Sequence, residues 1–144
     1  MIKRLLLILV ISISINFIST SNSSANRYGN GELKLSPQVV EWFIQYIRGK
    51  QSKYPSMFYV TLDGTDAVYW YCVERTNCQG GAPSQERAIC LQTTGKECKA
   101  FARQRTIKWT TDLNPGKGKI STINSRWTDQ EIRNKLNELG FTNL

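Results

Sequence analysis

Two segments of the chain repeat apolar residues at helical spacing, which is typical of amphipathic helices. One stripe lies between Ser36 and Gly49, and the other between Thr128 and Gly140. The first consists of Val40, Phe43, Ile44 and Ile47, widened by Trp42 and Tyr46. The second consists of Ile132, Leu136 and Leu139. We therefore predict a helix in each segment, packed by its apolar side against the rest of the domain.

Both predicted helices carry start and stop signals. Ser36-Pro37 provides an N-cap followed by proline at the first helical position. Thr128-Asp129-Gln130-Glu131 is a capping box, in which the first and last side chains satisfy each other's backbone N–H groups. Gly49 and Gly140 suit the left-handed residue that commonly ends a helix.

The segments between these helices alternate in the manner of β-strands. Residues 57–62 and 67–73 are rich in β-branched and aromatic residues, and Asp63-Gly64 between them is a strong hairpin signal. Two further runs, 98–102 and 106–109, flank the polar sequence Arg103-Gln104-Arg105, which we interpret as a turn. Residues 110–127 form a polar loop. This pattern predicts a small antiparallel sheet of three to four strands.

A third helix is expected from Gln85 to about Thr93, since Ser84 can cap it and Gly95 can end it. We expect its buried side to consist of Ala88, Ile89, Cys90 and Leu91. The predicted fold class is accordingly α+β: a small antiparallel sheet packed with about three helices and braced by two disulfides.

The first 25 residues have the layout of a secretory signal peptide. Lys3 and Arg4 precede an apolar run from residue 5 to residue 18, and Ser23-x-Ala25 offers small residues at the cleavage site. Ser19-x-Ser21 is the alternative site. An uncleaved membrane anchor is the competing interpretation, but 14 residues fall short of the ~20 that span a bilayer. We predict an exported protein, periplasmic or secreted, with no membrane-spanning segment once the leader is removed.

Cleavage after Ala25 leaves 119 of the 144 residues, enough for one domain. Residues 26–35 are polar and glycine-rich and are expected to form a flexible arm, followed by a single domain over residues 36–144. Without the two leader cations the net charge falls from +8 to +6. A positive balance favours anionic partners, and outside the cytoplasm phosphate headgroups and acidic polysaccharide are more available than nucleic acid. The alternative is that the charge only keeps a small domain soluble.

Four cysteines, Cys72, Cys78, Cys90 and Cys98, lie in one short stretch. Clustered, even-numbered cysteines in a small exported chain are typical of structural disulfides. We favour Cys72–Cys78 with Cys90–Cys98, because each pair closes a short loop; Cys78–Cys90 with Cys72–Cys98 is the main alternative. The gaps of five, eleven and seven residues fit neither a redox-active C-x-x-C motif nor a zinc site.

The chain contains no histidine. This excludes nucleophilic sites that use a histidine base and every histidine-bearing metal site. The pair Asp63 and Asp66 belongs to a turn, and calcium would need more oxygen ligands at fixed spacing. We therefore expect no catalytic residues, no metal and no cofactor.

One group of aromatic and basic residues is a candidate binding surface. It consists of Tyr69, Tyr71, Arg103, Arg105, Lys108 and Trp109. Exposed aromatic rings beside cations suit sugar rings and anionic polymers. The alternative is that these rings belong to the core, where large aromatic side chains usually lie.

The order of cysteines and aromatics resembles an uncharacterised group of small exported bacterial domains. The matching stretches are Tyr69-Trp70-Tyr71-Cys72, Cys78, Ala88-Ile89-Cys90, Cys98-Lys99-Ala100-Phe101-Ala102, Ile107-Lys108-Trp109 and the ending Lys135 to Phe141. They cover about half of the chain after the leader. The resemblance implies export, disulfides and a similar fold, and it implies no activity because the group has none assigned.

These observations favour a non-catalytic envelope or periplasmic protein that binds or braces something, with an anionic or glycan partner preferred. Two alternatives come from other classes: a histidine-free cell-wall hydrolase, and an inhibitor or interaction partner of another exported protein. A glycosidase would need two carboxylates facing each other across a cleft, and the sequence singles out no such pair.

Overall fold

The computed structural model of the protein describes residues 27–78 and 80–143. Within them the chain forms an α+β fold of three α-helices and one four-stranded antiparallel sheet, which confirms the predicted class. The elements are α1 (Pro37–Arg48), β1 (Tyr54–Thr61), β2 (Ala67–Cys72), α2 (Pro83–Thr94), β3 (Cys98–Arg103), β4 (Thr106–Ile107) and α3 (Asp129–Glu138). No helix in these ranges is long and apolar enough to cross a bilayer. The predicted leader and its cleavage sites lie outside the described residues.

The sheet has the strand order β2-β1-β3-β4, so the central strands β1 and β3 are buried on both faces. Alternate residues of β1 serve different cores because successive side chains of a strand point to opposite faces. Phe58 and Val60 pack in the larger core with residues of α1 and α3. Met57 and Tyr59 pack on the other side, where α2 supplies Cys90.

The predicted caps of α1 and α3 are present. The side chain of Ser36 accepts a hydrogen bond from the N–H of Val39 at 3.3 Å, and Pro37 occupies the first turn. Thr128 and Glu131 form the reciprocal pair of a capping box. Local sequence signals therefore place both helices, and their apolar stripes are buried as expected.

The two hairpins differ in how they turn. Asp63-Gly64 joins β1 to β2, with Gly64 at a φ of 72° and the Asp63 carboxylate accepting hydrogen bonds from Thr61 and Thr65. The β3–β4 connection is a tight hairpin in which Arg103 pairs with Thr106. Gln104 takes a φ of 51° there, a conformation that is uncommon for a residue other than glycine.

The prediction of a flexible arm is wrong for residues 27–35, which pack against the domain. The segment bridges Tyr28 to Ala100 and Asn30 to Thr110, and Leu33 and Leu35 are buried in the larger core. These two leucines alternate with polar residues, and their apolar side chains hold the segment against the domain. Asn26 lies outside the described residues.

The buried side of α2 also differs from the prediction. Ala88, Ile89 and Leu91 are exposed, and the helix buries Cys90 together with Glu86, one turn earlier. Two contacts with residues outside the helix explain this orientation. Cys90 is bonded to Cys98 at the start of β3, and Glu86 accepts a hydrogen bond from Arg27 at 2.5 Å.

The disulfides join Cys72 to Cys78 and Cys90 to Cys98, the pairing that the short loops favour. The Cα atoms of the first pair are 5.5 Å apart, and those of the second are 6.1 Å apart. The first bond closes the loop after β2, and the second ties α2 to β3. The two bonds therefore fasten different parts of the domain.

Candidate functional site

The two predicted surface tyrosines lie on β2, on the side of the sheet covered by α1. Tyr69 stacks on Phe58 with ring centroids 5.4 Å apart, and the Tyr71 hydroxyl donates to the carbonyl of Gln45 at 3.3 Å. Both side chains are half-buried. They act as the outer wall of the aromatic core more than as a free platform.

Trp109 belongs to the core, which corrects its assignment to a binding surface. It is only 3% exposed, and its indole N–H donates to the carbonyl of Gly31 at 3.0 Å. A tryptophan whose ring is enclosed and whose one donor is satisfied has nothing left to offer a ligand. Its neighbour Lys108 is half-buried just beyond β4.

The six candidate residues consequently do not share one surface. Tyr69 and Tyr71 are on the edge strand β2, while Lys108 and Trp109 follow β4, at the other edge of the sheet. Arg103 ends β3 and is half-buried. Of the six, Arg105 is the one that lines the cleft described next.

This cleft opens where the sheet ends, beside the beginning of β1 and the turn between β3 and β4. Its volume is about 220 Å³. The residues that line it are Tyr54, Pro55, Arg75, Cys78, Gln104, Arg105, Thr106, Thr122 and Ile123. Among the described residues, the lining contains two guanidinium groups and several neutral hydrogen-bonding groups but no carboxylate. We call it the arginine cleft.

Arg105 is held in the arginine cleft by the end of α1. Its Nε–H donates to the carbonyl of Ile47 at 3.3 Å, one of the last-turn carbonyls that have no partner within the helix. The negative end of the helix dipole favours a cation at this place. Burial lowers the pKa of Arg105, and the nearby positive charge of Arg75 lowers it further. Since both guanidinium groups line the same cleft, their like charges repel each other.

Arg75 lines the arginine cleft from the loop closed by the Cys72–Cys78 disulfide. It begins a short 3₁₀ turn, Arg75–Asn77, and is exposed. Neither Arg75 nor Arg105 takes part in the salt bridges between described residues, which all lie elsewhere. The described lining residues thus bring two positive charges together and include no carboxylate.

Hydrogen bonds fix the walls of the arginine cleft to one another. The Gln104 side chain donates to the carbonyl of Cys78 at 3.1 Å, and its backbone N–H donates to Ser56 at 2.7 Å. The hydroxyl groups of Thr106 and Thr122 are 3.2 Å apart. Four segments that are distant in sequence are held as one rim, which can present donors to a bound oxyanion.

A second charged group, around Glu86, is structural. One Glu86 oxygen accepts from the N–H of Gly81 at 2.6 Å, and the other accepts from Arg27, whose Nε–H donates to the Tyr59 hydroxyl at 3.2 Å. Burial raises the pKa of Tyr59 well above that of a free tyrosine. Since each of these groups is paired with another, the cluster fastens the N-terminal segment to α2.

Sequence reasoning missed Arg75, Gln104 and the Glu86 cluster. One sequence feature could have indicated Arg75, because the favoured Cys72–Cys78 pairing places it on a short closed loop. A weaker feature, the position in the predicted turn, could have indicated Gln104. No sequence feature indicates the contact between Glu86 and Arg27, which are 59 residues apart.

Comparisons with protein-family models, with curated proteins and with solved structures find no match to this chain.

Proposed function

We propose that the protein is a non-catalytic exported binding protein whose arginine cleft takes a phosphate or carboxylate group of an anionic envelope polymer. The observation that carries this proposal is the pairing of Arg75 and Arg105 in one cleft without a carboxylate among the lining residues. A bound anion relieves the repulsion between two such cations, and a guanidinium group can donate two N–H groups to two oxygens of a carboxylate or a phosphate.

The size of the arginine cleft supports a polymer as the ligand. At about 220 Å³ it lies below the ~300–1,000 Å³ of pockets that enclose a whole small molecule. It has room for one charged group, so the remainder of the ligand lies outside it. A chain with repeated anionic groups is recognised in this way one group at a time, with the domain's positive charge adding long-range attraction.

Export is part of the proposal, and the two disulfides support it. Disulfides form and persist in oxidising compartments and are rare where thioredoxin and glutathione keep thiols reduced. The predicted leader agrees with this. The disulfides and the predicted leader both favour an envelope location, where anionic polymers are abundant.

Calorimetric titration with three probes tests the proposal: inorganic polyphosphate, the carboxylate polymer polygalacturonate, and neutral dextran. The first two distinguish the two anion chemistries, and dextran is the uncharged control. We expect Arg75→Gln and Arg105→Gln each to lower the affinity for the preferred anion about tenfold to hundredfold. This is the effect of losing a charged hydrogen bond of ~1.5–3 kcal/mol.

Arg87→Gln is the matched control, because it removes the same charge from α2, outside the arginine cleft. Equal affinity losses for all three variants would mean that binding depends only on the net charge of the protein, which would contradict a specific site. Measuring the polymer's length during the titration tests the non-catalytic part. Shortening that disappears on substitution of a single carboxylate would contradict it and favour the hydrolase alternative.

A further inference from the structure

The loop that carries Arg75 begins and ends at a disulfide. Cys72 is the last residue of β2, and Cys78 lines the arginine cleft. Their Cα atoms are 5.5 Å apart, so the five residues between them form a loop whose ends are held together by the bond. Arg75 is the third of these five residues.

Cys78 makes two of the contacts between this loop and the arginine cleft. The Gln104 side chain donates to the carbonyl of Cys78 at 3.1 Å, and the Cys78 sulfur lies 3.4 Å from the carbonyl oxygen of Pro55. Cys78 is buried, whereas Arg75 and its neighbours from 73 to 76 are exposed. Cys78 is thus the buried anchor of a loop whose residues 73 to 76 are exposed, and the disulfide joins this anchor to the end of β2.

We propose that the Cys72–Cys78 disulfide is the positioning element of the anion site, so that reduction of this bond weakens anion binding while the rest of the domain stays folded. The inference rests on the proposed function of the arginine cleft. It assigns different roles to the two disulfides: the first orients Arg75, and the second holds α2 to the sheet.

The second disulfide is unsuited to such a role. Cys90 and Cys98 are both buried and contribute nothing to the lining of the arginine cleft. They lie among the residues of the smaller core, with Met57 and Ala100. Because both residues are almost fully buried, a reagent reaches their bond less readily than it reaches Cys72.

Accessibility gives the two bonds different sensitivities to a dithiol. Cys72 is half-buried, whereas Cys90 and Cys98 are 0% and 2% exposed. A dithiol thiolate attacks the Cys72 sulfur, the sulfur–sulfur bond breaks, and Cys78 leaves as a thiolate that takes up a proton. The second thiol of the reagent then displaces Cys72 as a thiol and closes the reagent into its own disulfide. Two electrons and two protons pass from the dithiol to the protein.

Two double variants test the inference, with polyphosphate affinity as the readout. Cys72→Ser/Cys78→Ser opens the Arg75 loop, and Cys90→Ser/Cys98→Ser is its matched control, because the bonds close loops of similar length, with sequence separations of 6 and 8. We expect the first variant to bind at least about tenfold more weakly and the control to bind like the unmodified protein. Near-ultraviolet circular dichroism verifies that each variant is folded.

Graded reduction of the unmodified protein provides a measurement that needs no variant to fold. Dithiothreitol is added stepwise, free thiols are alkylated, and peptide mapping identifies which bond has opened. We expect affinity to fall in step with alkylation at Cys72 and Cys78, before Cys90 and Cys98 react.

Full affinity with the Cys72–Cys78 bond open would overturn the inference and leave the proposed function intact. If instead the oxidised protein shows no binding that depends on Arg75, the proposed function itself fails, and the inference fails with it. The two failures are therefore distinguished by the Arg75→Gln comparison.

Discussion

The indole ring of Trp109 lies directly against Gly29, where a Cβ atom would overlap the ring carbons Cε3 and Cζ3. The backbone of Gly29 donates to Ala100 and accepts from Thr110, so the glycine cannot easily move away. The N-terminal segment thus closes over a tryptophan that the sequence pattern had placed among candidate surface residues. Packing in this region depends on the absence of a side chain at position 29.

This contact predicts that Gly29→Ala destabilises the fold by about 2 kcal/mol, within the range for overpacking a core. Gly81→Ala is the matched control, because a Cβ atom there meets Glu86 at an ordinary 3.5 Å. Urea denaturation of both variants measures the difference. Equal stabilities for the two variants would mean that Trp109 can shift without cost.

The buried pair of Arg27 and Glu86 predicts a second effect on stability. Arg27→Ala leaves the Glu86 carboxylate, which is 8% exposed, without its cation, and we expect a loss of about 3 kcal/mol, as for a broken buried ion pair. Adding Glu86→Gln to that variant should recover about 1 kcal/mol or more, because a neutral amide costs less to bury than a carboxylate.

Denaturation of the two single variants and the double variant completes the cycle. Arg126→Ala serves as the control, since Arg126 is exposed and takes part in no salt bridge between described residues. Additive losses from Arg27 and Glu86 would show that the two side chains contribute independently, contrary to the geometry.

These two cases show where sequence reasoning stops. Signals confined to a few neighbouring residues placed the ends of α1 and α3, the Asp63-Gly64 hairpin and the disulfide pairing. The orientation of α2 depends on Arg27, 59 residues away, and no local pattern contains that information. The arginine cleft is similar, because its lining comes from four separate parts of the chain between Tyr54 and Ile123.

The Asp63–Lys96 salt bridge predicts a pH dependence of stability. Lys96 donates to Asp63 at 2.7 Å, and this contact together with hydrogen bonds from Thr65 and Thr61 lowers the pKa of Asp63 below its ordinary 3.8. A carboxyl whose pKa is lowered by folding stabilises the fold above its unfolded pKa. That contribution is lost as the pH falls below 3.8 towards the folded pKa.

We therefore expect Asp63→Asn to be less stable than the unmodified protein at about pH 7, by less than ~1 kcal/mol because both side chains are about half exposed. The difference should shrink as the pH falls from about 5 to 2. Thermal denaturation of both proteins over this range measures it. A difference that is constant with pH would show that the carboxylate charge contributes nothing.

The central claim is that Arg75 and Arg105 bind one anion together, and nuclear magnetic resonance tests it most directly. The measurement follows the side-chain Nε–Hε signals of the arginines while inorganic phosphate is added to the purified protein, with Arg87 as the internal reference. Our account predicts that the Arg75 and Arg105 signals move together along one saturating curve while the Arg87 signal stays in place. Equal drift of all three signals without saturation would contradict a site at the arginine cleft.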